Sequence, residues 1–244
     1  MNKRKTIFIS DIHLDETNPN LTKKFLDWLD RLDISIDALY ILGDLFEFWI
    51  GDDDNTPFHQ TIKQALNNAV LNKHIPIYFI HGNRDFLIGK NFLKEAGCIA
   101  LSEEVMISLY GTPVLLMHGD TLCKEDHVYL RIRKLFHNHF FQYLFLLFPL
   151  SLRKKIAHAV RVRSKQYTQS APKAIMDVTA QAVCDIMLKQ QATYLIHGHT
   201  HRKKIHTLTL PNKQSSTRIV LGSWHDGANA LYWYDSNQWE MACF

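Results

Sequence analysis

Cysteine is scarce and scattered in this sequence: Cys98, Cys123, Cys184 and Cys243 form no Cys-x-x-Cys pair. Nothing here resembles a disulfide framework, and a reduced cytoplasmic protein is the simplest expectation. Long apolar runs are absent as well. The longest, Phe140–Leu150, has Gln142 as its clearest polar interruption and falls far short of the roughly 20 residues that span a bilayer. The N-terminal run Thr6–Ile9 is too short for a signal peptide and ends at Asp11, so it reads as a first strand. There is neither an internal repeat nor a low-complexity linker. Acidic residues are nearly missing from one stretch: Lys124–Lys165 holds ten Lys/Arg against Glu125 and Asp126. That stretch is net +8, against +4 for the whole chain, which leaves the rest at −4. The basic excess is therefore local and predicts contact with something anionic.

What is present fits a soluble globular domain, with 46% hydrophobic and 21% charged residues over 244 positions. Apolar runs at Thr6–Ser10, Ala38–Leu42 and Ile75–Ile80 predict strands. Between them, Leu21, Phe25, Trp28, Leu29 and Leu32, then Ile62, Leu66, Ala69 and Val70, recur at helical spacing. This alternation predicts an α/β fold with chemistry at the strand ends. Val105–Leu109 and Pro113–Met117 read as a hairpin, and Thr193–His197 as a further strand. The runs at Lys204–Leu210, Ser216–Leu221, Asn229–Tyr234 and Gln238–Cys243 read as a meander. From about Lys124 to Lys189 only helical pattern is found, punctuated by Pro149 and Pro172. A helical insertion between two parts of a core is the economical reading.

Five short segments follow predicted strands: Ser10-Asp11-Ile12-His13, Gly43-Asp44, Gly82-Asn83-Arg84-Asp85, His118-Gly119-Asp120 and Gly198-His199-Thr200-His201. Singly, each is an ordinary strand-ending turn. Together, in this order, they supply carboxylate, amide and imidazole donors, a set suited to Mn²⁺, Fe²⁺, Co²⁺, Zn²⁺ or Mg²⁺. In Asp11-x-His13 and His199-x-His201, an extended chain would send both side chains the same way.

The ordered set resembles the calcineurin-like metallophosphoesterase superfamily, and the likeness extends over nearly the whole chain. Gly43–Asp53, with its Phe46-Glu47-Phe48-Trp49 run, His81–Gly89, His118–Cys123, Ile175–Val178 and His197–Arg202 resemble its UDP-2,3-diacylglucosamine pyrophosphatase branch. The resemblance implies an α/β four-layer αββα sandwich of two mixed sheets. It implies one metallophosphoesterase domain over residues 1–244 with a helical lid insertion at about 124–173. It further implies two divalent ions, with Mn²⁺ favoured. Asp11, His13, Asp44 and His201 would hold the first; Asp44, Asn83, His118 and His199 would hold the second, with Asp44 shared. Such a pair activates water and clamps phosphate oxygens.

By the same resemblance Arg84, Asn83 and His199 are catalytic, and Asn83, Arg84, Asp126, Ser164, Thr168 and His199 contact substrate. Many relatives carry His where Arg84 stands. A permanently charged guanidinium cannot donate a proton but can grip a diphosphate bidentately. Two positions depart from the pattern: Thr168 and Ala171 occupy places where the branch tends to have Asn and Lys, with Lys173 nearby. The expected reaction cleaves UDP-2,3-diacylglucosamine to UMP and 2,3-diacylglucosamine 1-phosphate, at the cytoplasmic face of the inner membrane. Peripheral contact with an anionic membrane is expected, with no nucleic acid and no obligate protein partner. Two other readings stay open, a metallophosphoesterase of soluble phosphodiesters and a metal-free scaffold on the same fold. Against the scaffold stands the absence of any substitution at the seven ligand positions.

Overall fold

Strand β1 (Lys5–Ile9) shows how the layers arise. Successive side chains point to opposite faces, so Ile7 and Ile9 pack against helices while Phe8 packs against a second sheet. The computed structural model describes residues 4–170, 172 and 175–244. Helix α1 (Pro19–Asp30) leads to β2 (Ile36–Leu42), α2 (Pro57–Leu71) to β3 (Ile77–Ile80), and α3 (Lys90–Ala96) to β4 (Cys98–Ala100). The first helices start where the sequence provides caps. The Asn18 side chain accepts from Leu21 N and the Thr56 side chain from His59 N, each just before a proline in the first turn.

The chain continues through β5 (Glu104–Leu109), β6 (Thr112–Met117), α4 (His127–Phe136), α5 (His139–Leu146), α6 (Leu150–Ser170) and α7 (Ala180–Lys189). It closes with β7 (Tyr194–His197), β8 (Lys204–Thr209), β9 (Ser215–Val220), β10 (Asn229–Tyr234) and β11 (Trp239–Cys243). One sheet has the order β11-β10-β1-β2-β3-β4, the other β5-β6-β7-β9-β8, and both mix parallel with antiparallel pairs. Three apolar clusters separate four layers: α1–α3 on the first sheet, sheet on sheet, and α7 on the second sheet. The αββα sandwich is the observed fold.

The expected four-strand meander is instead two hairpins in different sheets, β8–β9 in the second and β10–β11 in the first. The reason lies between them. Trp224 is buried against Phe25 and Trp28 on the helical side of the first sheet, so the chain must cross over there.

Helices α4 and α5 contain no buried residue, and in α6 only Arg153 is buried among the described residues. Polar pins hold them instead. Arg133 pairs with Asp120 and Glu103, Arg153 with Asp53, Lys154 with Asp54 and Arg161 with Glu47. Part of the +8 of this segment therefore meets acids of the core itself, one form of the anionic contact that the sequence predicts. Arg153, 2% exposed, also donates to the carbonyls of Phe148 and Ile50. Arg153→Ala should cost about 2–3 kcal/mol of docking, the scale of hydrogen bonds to a charged group. Limited proteolysis within residues 150–170 should then speed up with little change in core melting; an unchanged cleavage rate would contradict the pin.

Candidate metal centre

The five motifs leave β1, β2, β3, β6 and β7, neighbours in their sheets, and converge at one edge of the sandwich. Backbone bonds tie them together: Asp11 N donates to Gly43 O (3.2 Å), Ile12 N and His13 N to Asp44 O (2.9 and 3.0 Å), and Gly198 N to His118 O (2.9 Å). Asp11, His13, Asp44, His199 and His201 all have positive φ, between 54° and 67°. The paired side chains are thus brought together by left-handed turns, not by the strand alternation read from the sequence. Each such residue carries a strain of order 1–3 kcal/mol, which Asp and His tolerate better than bulky residues. Two glycines make the close approach possible. A Cβ on Gly82 would overlap the Asp44 carboxylate, and one on Gly198 would overlap Ser10 Oγ and Asp11 Oδ2.

Two groups of donors result. In the first, His13 Nε2 faces His201 Nε2 at 3.1 Å, and Asp11 Oδ1 lies 3.3 Å from His201 Nε2 and 3.9 Å from His13 Nε2. In the second, Asn83 Oδ1 is met by His118 Nε2 at 3.0 Å and His199 Nδ1 at 2.8 Å. Asp44 Oδ2 stands between them, 3.8 Å from His13 Nε2 and 3.7 Å from His118 Nε2. Asp11 also reaches toward the second group, close to Asp44 and His118. Because His118 Nδ1 faces the Leu42 carbonyl at 2.9 Å, it must donate, leaving Nε2 for a proton or a metal. Carboxylates and imidazole nitrogens gathered this closely favour positive charge among them, either protons on the imidazoles or a bound cation. The donor set fits divalent ions with oxygen and nitrogen preference.

Around this centre, Arg84 is held by its N–H to Asp44 Oδ1 (2.8 Å), while its guanidinium has no hydrogen bond or ion pair among the described residues. Asp126 is buried and caps α4, its Oδ1 accepting from Tyr129 N (2.9 Å) and Tyr167 Oη (2.8 Å). Ser164 lies on α6, half-buried. The side chain of Thr168, and residues Ala171 and Lys173, lie outside the described residues.

Three further acids matter that sequence reasoning left without a role. Asp85, fully buried, accepts from Gly82 N, Asp44 N and Leu45 N, and so sews the second motif to the third. Asp120 binds Tyr129 and Arg133 of α4. Glu47 lies beside His13. A carboxylate within or just beyond a glycine-rich turn was the available signal. Part of the aromatic run proves to be packing: Phe46 and Trp49 meet His59 and Phe92 edge-on or tilted, whereas Phe48 is exposed, and Asp52 caps α3 through Asn91 N and Phe92 N.

Residues 4–203 match the family described as calcineurin-like phosphoesterase. The chain belongs to that family. It is also 50% identical, over 90% of its length and 91% of theirs, to the UDP-2,3-diacylglucosamine hydrolases of Photorhabdus laumondii and of Escherichia coli O7:K1. A hydrolase of this family works with divalent metal ions, and the clusters here, buried except at His201, carry candidate ligands.

The metal-free ligands titrate unequally. Burial pushes His13 and His199 down to about 4, against the pull of Asp44 and Asp11, so both are neutral well below pH 7. In His118 burial is outweighed by Asp44, Asp11 and Asp120, and the imidazole is raised to about 9. For His201, burial again opposes and the Asp11 bond prevails, so its pKa is raised. His118, raised to about 9, is protonated at pH 7 and must lose that proton to bind metal. Metal uptake at pH 7 should therefore release about one proton per chain from His118, and affinity should rise with pH. Calorimetry in buffers of different ionisation heat reads this directly. Uptake with no proton release would refute it.

Proposed function

We propose that the protein hydrolyses the pyrophosphate bond of UDP-2,3-diacylglucosamine, giving UMP and 2,3-diacylglucosamine 1-phosphate. The observation that carries this reading is the Arg84 guanidinium, a cation without a protein partner among the described residues, beside the ligand cluster. A diphosphate is the anion whose paired oxygens match a guanidinium fork. The relatives at 50% identity, named for that substrate, support it.

Asp11, His13, Asp44 and His201 would hold one divalent ion and Asp44, Asn83, His118 and His199 another, with Mn²⁺ the favoured metal. When bound, such a pair supplies Lewis-acid polarisation of phosphate and an activated water. Arg84 and Asn83 grip the diphosphate, and His199 keeps Asp11 in place through its backbone N–H (2.9 Å to Oδ2). The departing phosphate leaves as a stabilised anion, so no general acid is required and Arg84 suits its position. Asp126, Ser164 and Thr168 are the contacts from the helical segment to the sugar nucleotide.

Peripheral attachment to the cytoplasmic face of an inner membrane accompanies this reading. No helix among the described residues is long and apolar enough to cross a membrane. Helix α5 and the turn after it expose Phe140 (64%), Tyr143 (62%) and Leu147 (62%), with Phe141 and Phe148 beside them. These are not core residues, so the simple packing explanation of the apolar run fails. Lys124, Arg131, Lys134, Lys155, Arg163 and Lys165 make no ion pair among the described residues. Aromatic side chains rimmed by free cations suit an anionic lipid surface.

Purified protein loaded with Mn²⁺ should cleave UDP-2,3-diacylglucosamine faster than UDP-N-acetylglucosamine by about three orders of magnitude, because remote acyl binding energy drives the reaction. Changing Phe140, Phe141 and Leu147 to Ser should weaken vesicle binding and turnover of the acylated substrate alone. Equal rates on acylated and unacylated substrates would sink the proposal.

A further inference from the structure

Glu47 sits where two parts of the molecule meet. Its backbone is fixed beside the first motif: Glu47 N donates to Leu14 O at 3.0 Å, and Leu14 N to Leu45 O at 2.8 Å. The preceding Phe46 is fully buried against Trp49 and Phe92. The Glu47 side chain is only 12% exposed, and its two oxygens go to different places. Oε2 lies 3.0 Å from His13 Nδ1, whereas Oε1 pairs with Arg161 of α6. The imidazole's other nitrogen, Nε2, faces His201 Nε2. His13 Nδ1 is buried and makes no aligned hydrogen bond, and this carboxylate oxygen lies within reach of it.

We infer that Glu47 is a positioning residue that orients His13 with one oxygen and latches α6 with the other. The inference rests on the reading of His13 as a metal ligand. A ligating imidazole whose second nitrogen donates to a carboxylate is fixed in tautomer and ring angle, and losing that carboxylate typically weakens metal binding 10–100-fold. A carboxylate this buried is also stable only while its charge is compensated, and Arg161 supplies the compensation. An isolated surface ion pair would be worth little. Here the same carboxylate serves the metal centre, so closure of the helical segment and order at His13 share one group.

The two oxygens make the roles separable. Glu47→Ala removes both contacts, Arg161→Met removes only the latch, and Glu47→Gln keeps an amide oxygen that accepts from His13 Nδ1–H but no charge for Arg161. Mn²⁺ affinity, followed by electron paramagnetic resonance, should fall about 10–100-fold in Glu47→Ala. In Glu47→Gln and Arg161→Met it should stay within about threefold of wild type, the acceptor being retained. Amide exchange across α6 should speed up at least about tenfold in all three variants. If Glu47→Ala unfolds, Glu47→Leu fills the volume without offering an acceptor. Wild-type Mn²⁺ affinity in the Ala and Leu variants, or unchanged α6 exchange in Gln and Met, overturns the inference alone. Failure of the wild-type protein to bind Mn²⁺ removes the metal reading and this inference with it.

Discussion

Two buried carboxylates, Asp11 and Asp44, stand among four imidazoles at the meeting edge of two sheets, and without a metal it is imidazole protonation, favoured at His118 and His201, that offsets their charge. The strand ends are arranged to create it. Left-handed turns at five of the ligand residues, glycines without room for a Cβ, and Asp85 bonding three backbone amides all press the donors inward. Such an arrangement stores strain that the four-layer sandwich must absorb. Its clusters of fully buried Ile, Leu, Phe and Trp beneath the strands supply the rigidity. Burial of this apolar core lets the site remain tense, with a donor set that suits a divalent cation.

The helical segment follows a different rule. It buries almost nothing and is held by charge, with Asp120, Asp53, Asp54 and Glu47 as its fixed points on the core. Ion pairs of this kind are weak singly, so the segment is fastened by several at once. Asp120 and Glu47 flank the candidate ligands His118 and His13 in sequence or space, so the helical segment is fastened beside the candidate metal centre.

The convergence of the candidate donors was legible because their chemistry comes in contiguous strings directly after apolar runs: Asp11–His13, Gly82–Asp85 and Gly198–His201 each declare their place. The helical insertion was legible from the missing strand signal. Pairing partners were not. Arg153 finds Asp53 a hundred positions earlier, and nothing local in either residue marks the match. The short α3 and β4 carry too few apolar residues to register as periodic elements. The division of the last four strands between two sheets depends on where Trp224 is buried, a tertiary choice. Glu47 looked like part of an aromatic signature, whereas its role comes from His13 and Arg161, which approach from opposite directions along the chain.

The central claim is that the converging turns exist to hold two cations bridged by Asp44. Anomalous diffraction from crystals grown with Mn²⁺ tests it most directly. The account predicts two maxima about 3.5–4 Å apart, one between His13 and His201, the other between Asn83, His118 and His199, with Asp44 touching both. A single maximum, or metal bound away from these residues, would contradict it.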